Sequence, residues 1–203
     1  MRDLFHVVLA SVSPRRYQLL TSLGLNVSVR PSGVDEGARP GYGPSELAAL
    51  HAAAKAEAVA RNERSDVIVA ADTVVDLDGE SLGKPAGPAE AAAMLRALSG
   101  REHLVHTAYT VIHPPSGRRI DGSRTTRVTF AALSAPQIDA YVATGDPLDK
   151  AGAYGIQGRG AALVDRIEGD FYTVMGFPLG DFARRLPELG FALPAAPPEP
   201  AAS

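Results

Sequence analysis

The chain has 203 residues, a formal net charge of −3 and no cysteine. That length suits one substantial α/β domain, the missing cysteines remove disulfides, thiol nucleophiles and thiolate metal sites, and the slight acidity argues against nucleic-acid polymers as partners while leaving room for a local basic pocket. Residues 1–13 hold an acid and only a short apolar stretch, unlike a signal peptide, and no apolar run is long enough to span a bilayer, so a cytoplasmic protein with no membrane partner is expected.

Leu4 to Ala10 reads as a buried strand that breaks into Ser11-Val12-Ser13-Pro14-Arg15-Arg16. Ser13 is placed to cap the helix that follows, with Pro14 at its first position, Leu19, Leu20 and Leu23 as its core face and Gly24 as its end. Asn26 to Arg30 reads as a short strand, and the polar, glycine-rich stretch Pro31 to Pro44 as a loop. Ser45 is placed to cap a long Ala-rich helix, Glu46 to Asn62, with Leu47, Leu50 and Ala54 as its buried stripe. Asp66 to Val75 is an apolar run interrupted by Asp72. A turn at Asp78-Gly79 leads to Leu82 and the loop Gly83 to Pro88, and a helix over Ala89 to Leu98 closes at Gly100.

His103 to His113 and Arg118 to Phe130 read as two long strands joined by a Pro-Ser-Gly turn, an antiparallel hairpin. Ser134 with Gln137 gives a capping-box start to a helix reaching Ala143. Gly145 to Gly160 reads as a long loop, Ala161 to Ile167 as a strand and Pro178 to Leu186 as the last helix. Early alternation of helices and strands with a central hairpin predicts an α/β fold on a mixed sheet. Residues 1–190 form one domain in this reading, and the Pro/Ala-rich stretch 191–203 is expected to be disordered.

The opening loop places hydroxyls and two guanidinium groups at a strand-to-helix junction, where unpaired N–H groups and the helix dipole attract anions. Asp72 inside an apolar strand needs a metal, a cation or hydrogen bonds. It reads equally as an acid paired with a nearby Arg and as a group that binds a divalent metal or takes a proton from water. Lys84, in Gly83-Lys84-Pro85, is either an exposed turn lysine or a phosphate ligand, and Lys55 by position is a helix-surface lysine. Glu36 reads as a metal ligand or an ordinary loop acid. In Asp149-Lys150-Ala151-Gly152-Ala153-Tyr154-Gly155-Ile156-Gln157-Gly158, the glycines permit close backbone approach to a ligand. Gln157 offers an amide suited to reading a base edge, and Tyr154 is placed to stack or to pack. The five histidines form no HExxH or related pattern and are read as incidental, with His103 and His106 on opposite strand faces. Neither a P-loop nor a GxSxG elbow is present.

In chain order, Ser11-Val12-Ser13-Pro14-Arg15-Arg16, Ala71-Asp72-Thr73-Val74-Val75, Gly83-Lys84-Pro85, Asp146-Pro147-Leu148 leading into the long stretch above, and Gly176-Phe177-Pro178-Leu179 resemble the Maf family of nucleoside triphosphate pyrophosphatases. The resemblance runs from Leu4 to Leu186. It implies an elongated mixed sheet flanked by helices, in two lobes around a central cleft, similar to inosine triphosphate pyrophosphatases. It further implies a homodimer, a divalent metal (magnesium or manganese), and cleavage of a triphosphate to monophosphate and pyrophosphate.

By the same resemblance Asp72 matches the proton acceptor, and Arg16, Lys55 and Lys84, with Ser11, match the phosphate-binding set. Glu36 matches an acid that assists metal or phosphate handling, so Asp72 and Glu36 are the implied metal ligands. Arg15, Thr73 and Gln157 match the branch acting on dTTP, UTP and modified pyrimidines rather than the branch acting on 7-methyl-GTP. Val12 departs from the family's small residue, and Asp170-Phe171-Tyr172-Thr173-Val174-Met175 from its usual stretch. A second reading of the same residues is a nucleotide-binding regulator of septum formation with little turnover.

Overall fold

The computed structural model describes residues 5–37, 39–63 and 67–193. Leu4, Asp66 and residues 194–203 of the Pro/Ala-rich stretch lie outside the described residues. Strands β1 (His6–Leu9), β2 (Asn26–Val29) and β3 (Val67–Leu77) run parallel, with β1 in the middle. On the other side of β3, the hairpin of β5 (Glu102–His113) and β6 (Arg118–Phe130) is antiparallel, and β7 (Val164–Glu168) closes the order β2-β1-β3-β5-β6-β7. The short β4 (Glu80–Leu82) folds back on the end of β3. The expected mixed sheet and hairpin are therefore present.

One detail of register positions everything that follows. On one side, β3 pairs with β1 through Val67, Ile68 and Val69, and with β4 only from Val75 onward. Between these, Ala70 to Val74 have a strand partner on the β5 side alone. Asp72 sits in that opening, at the carboxyl end of β1, where open α/β sheets leave room for ligands.

Side chains alternate across the sheet. The even positions of β3 face α2 (Pro44–Ala60): Ile68 and Ala70 pack with Ala56 and Val59, and Val74 packs with Leu47, Ala48 and Ala52. The odd positions face two separate apolar clusters. One joins Val69 and Ala71 to Leu19 and Leu20 of α1 (Pro14–Ser22) and to Leu179 and Phe182 of α6 (Leu179–Arg185). The other joins Val75 and Val105 to Leu95 of α3 (Pro88–Leu98) and Ile138 of α4 (Ala135–Val142). Thr73 and Thr107 lie between the two clusters, paired across the ladder.

Several local expectations are corrected. Ser13 occupies the N-cap position of α1, but its side chain makes no capping bond. The N-cap of α2 is Gly43 rather than Ser45: Pro44 takes the first helical position, and Glu46 accepts from the Gly43 N–H at 2.9 Å. Its buried stripe is Leu47, Ala48, His51, Ala52, Lys55, Ala56 and Val59, whereas Leu50 and Ala54 are only partly covered. Gln137 accepts from the Ser134 N–H at 2.8 Å, which supports the expected start of α4. Residues 158–163 wind into a 3₁₀ turn, so β7 begins at Val164 rather than Ala161. The departing stretch after Asp170 forms an unforeseen short helix, α5 (Phe171–Met175), whose first turn is capped by the Asp170 carboxylate. Phe191, assigned to the disordered tail, packs its ring 4.6 Å from that of Phe5.

Gly122 of β6 lies under the Tyr109 ring, and a Cβ there would fall inside it. Tyr109 is 1% exposed and donates to Asp181 at 2.8 Å, so it has little freedom to retreat. Gly122→Ala is expected to cost about 2 kcal/mol through overpacking, lowering the melting temperature by about 4–8 °C for a chain of this size. An unchanged melting temperature would show that the ring yields.

Candidate active site

Where β1 ends, the chain turns through Ser11-Val12-Ser13 into α1 and passes the opening in β3. Ser11, Arg15, Arg16 and Thr73 line a cavity of about 420 Å³ there. Glu36, Lys55, Asp72 and Lys84 line it as well, so residues from five separate segments converge. Gln157 is exposed and does not line this cavity. Gly158, with φ of +60°, turns the chain just after it. The cavity as formed is therefore not read by the Gln157 amide.

Asp72 is 6% exposed and each of its carboxylate oxygens has a partner. Lys55 Nζ donates to Oδ1 at 2.6 Å, and His51 Nδ1 lies 3.2 Å from Oδ2. Burial pushes the Asp72 carboxyl up, but the His51 hydrogen bond and the charges of Lys55 and Arg16 outweigh it, leaving it below the ordinary carboxylate range. Lys55 is 3% exposed, not a surface lysine, and His51 is no incidental histidine. Lys55 Nζ also meets Glu36 Oε1 at 2.8 Å, and Glu36 Oε2 meets Lys84 Nζ at 3.3 Å. Charges thus alternate from Lys84 through Glu36 and Lys55 to Asp72. Glu36 is likewise held below its usual value: burial opposes this, and the Lys55 contact prevails. Lys84 is 56% exposed at the rim, as a turn lysine would be, while its ammonium faces the cluster.

Arg16 is fixed by three acceptors: Gly176 O at 2.9 Å from Nε, Ser11 Oγ at 3.2 Å from Nη1 and Thr73 Oγ1 at 3.2 Å from Nη2. Thr107 donates its only hydroxyl proton to Thr173 O at 2.7 Å, so the 2.9 Å contact between the two threonines has Thr73 as donor. The row from Arg16 through Thr73 and Thr107 to α5 therefore points in one direction. It leaves one N–H on each terminal nitrogen of Arg16 for a ligand. Burial lowers the Arg16 pKa more than Asp72 and Glu36 raise it, yet a guanidinium stays charged at neutral pH.

The rest of the cavity wall includes Val75, Val105, Tyr154 and Ile156, an apolar surface beside the charged one. The Tyr154 hydroxyl is 2.8 Å from His103 Nε2, and burial pushes His103 down to about 4, so this support is neutral. Arg15 Nη1 lies 3.8 Å from Asp149, and Lys150 Nζ is held by Asp149 at 2.7 Å and Asp146 at 2.9 Å. Gly152 N donates to Gly83 O at 3.0 Å, which ties this loop to the one carrying Lys84.

A cluster of fixed cations around a recessed carboxylate, next to an apolar wall, suits a polyanion with a flat organic group. A family model described as Maf-like protein matches residues 6–189. The chain is 51% identical over 173 residues to a dTTP/UTP pyrophosphatase of Moorella thermoacetica, covering 85% of this chain and 89% of that one. It is 46% identical over 188 residues to a dTTP/UTP pyrophosphatase of Methanosarcina barkeri, covering 92% and 95%. Among solved structures, a HAM1 protein from Coxiella burnetii aligns over 91% of this chain and 99% of its own, with a TM-score of 0.49 and 17% identity. The sequence matches extend across most of the described chain, and they establish that it belongs to the Maf-like protein family.

Proposed function

We propose that this protein hydrolyses dTTP and UTP to the monophosphate and pyrophosphate, with modified pyrimidine triphosphates in the same substrate class. The relatives' activity supports the reaction. The observation that carries it to particular residues is Asp72, recessed in the sheet opening beside Lys55, Arg16 and Glu36-bound Lys84.

In this mechanism Arg16, Lys55 and Lys84 bind the triphosphate, in a cavity where screening by water is weakened. Ser11 Oγ accepts from Ser13 N and from Arg16, leaving its own O–H to donate to a phosphate oxygen. Asp72 orients a water molecule and takes its proton. The water oxygen forms a bond to the α-phosphorus, the bond to the bridging oxygen breaks, and pyrophosphate leaves with that electron pair. Asp72 and Glu36 would hold a magnesium or manganese ion: they are two hard oxygen donors, and such ions take their remaining ligands from phosphate and water. Among the described residues no group of three or more such ligands occurs. When bound, the ion supplies positive charge to the phosphoryl oxygens.

The apolar wall takes the base, and Arg15 and Thr73 carry the pyrimidine preference, Thr73 by holding Arg16. Assembly as a homodimer belongs to the same proposal. Tyr17, Phe171 and Tyr172 are 41–43% exposed, and sedimentation velocity tests whether two copies associate. Among the described residues no helix is long and apolar enough to cross a membrane.

Pyrophosphate release from dTTP, UTP, CTP and 7-methyl-GTP, with magnesium or manganese, tests the reaction. Release is expected from dTTP and UTP, with TMP and UMP as the other products. Saturable nucleotide binding without release from any of them would overturn it in favour of a regulatory binding protein.

A further inference from the structure

We propose that His51 is a positioning residue for the Asp72 carboxylate and couples it to the loop that carries Glu36. The inference rests on the pyrophosphatase reading above. His51 is 3% exposed, and a buried imidazole has to find partners for its polar atoms. Its Nδ1 lies 3.2 Å from Asp72 Oδ2 and its Nε2 lies 3.2 Å from Gly37 O. The ring thus bridges β3 and the loop, with a carboxylate oxygen at one nitrogen and a carbonyl oxygen at the other.

Lys55 repeats the arrangement one turn along α2. It grips Asp72 Oδ1 at 2.6 Å and, at 2.8 Å, Glu36, the residue before Gly37. Residues four apart stand on one helix face, so the two side chains form parallel struts between the same strand and the same loop. One oxygen of Asp72 is held by each strut. The carboxylate cannot rotate, and its remaining lone pairs keep a fixed direction toward the cavity. His51 itself does not line the cavity, so it acts through Asp72 and Gly37 and not on the ligand.

Two amide substitutions separate the struts. The Asn amide nitrogen stands in for Nδ1, keeping Asp72 and releasing Gly37, and the Gln nitrogen stands in for Nε2, keeping Gly37 and releasing Asp72. With dTTP as substrate, His51→Gln is expected to lower kcat about 10-fold or more with KM within about threefold. His51→Asn is expected to raise KM about 10-fold, because the freed loop carries Glu36, with a loss in kcat of about threefold or less. A role in packing alone would move both variants alike, as a lowered melting temperature without this split. Equal kinetics in the two variants would overturn the proposal.

Should either variant fail to fold, ¹⁵N-histidine NMR of the wild-type protein decides. A His51 ring N–H signal protected from solvent exchange is expected, and a rapidly exchanging ring would overturn the strut. Failure of the underlying function looks different, since the wild-type protein would then release no pyrophosphate while the NMR result still reports the strut.

Discussion

Asp72→Asn should lower kcat for dTTP by about 10³-fold, the range expected when a general base is removed. The substitution keeps the shape of the side chain and removes its charge. The amide oxygen still accepts from Lys55 or His51, but the amide NH₂ then faces the other donor, where Asp72 now has Lys55 at 2.6 Å and His51 at 3.2 Å. That mismatch adds a stability cost of about 1–3 kcal/mol, which a thermal melt will register. Binding should move the other way. Removing a negative charge from a pocket built for a polyanion leaves the Kd of a non-hydrolysable dTTP analogue unchanged or tighter. The combination of lost turnover with retained affinity marks a group that acts in the transition state. A variant with kcat within threefold of wild type would remove Asp72 from the reaction.

The acid itself was legible in the sequence because it interrupts an apolar strand, and such an interruption demands a partner. The partners were not. Pattern reading assigns polar residues of a helix to the solvent side, which puts Lys55 on the surface of α2 and leaves His51 incidental. In fact Ala48, Ala52 and Ala56 make the buried face of that helix shallow, and both polar side chains share that face with Leu47 and Val59. The long strands and the hairpin were readable because each carries many residues of one period. Helix α5 spans only Phe171–Met175, too short to show a helical period. The motif containing Gln157 was legible as a motif, but not which of its residues meet the cavity: Ile156 lines it and the exposed Gln157 does not. A sequence shows which residues are unusual, whereas the pairing of β3 with β1 and β4 determines which of them meet.

Lys55→Met tests that pairing at its centre. Methionine retains the length and the apolar stem but withdraws the charge shared by Asp72 and Glu36. Glu36 is 40% exposed on its side chain and can turn to water. Asp72, at 6%, cannot. Removing one member of a buried pair strands the other, at a cost of about 3 kcal/mol or more, so the melting temperature should fall by about 6–12 °C for a chain of this length. Hydrolysis of dTTP should fall about 100-fold in kcat/KM, since a phosphate ligand is lost and the base loses one of its two supports. The double variant Lys55→Met with Asp72→Asn separates these effects. If the stability loss comes from a stranded carboxylate, neutralising Asp72 restores about 2 kcal/mol of it, a coupling expected only for groups in direct contact. Activity does not return, because both functional groups are then gone. Strictly additive melting temperatures would mean that Lys55 stabilises the fold independently of Asp72. The chain of alternating charges from Lys84 to Asp72 would then be an arrangement without energetic coupling at its buried end.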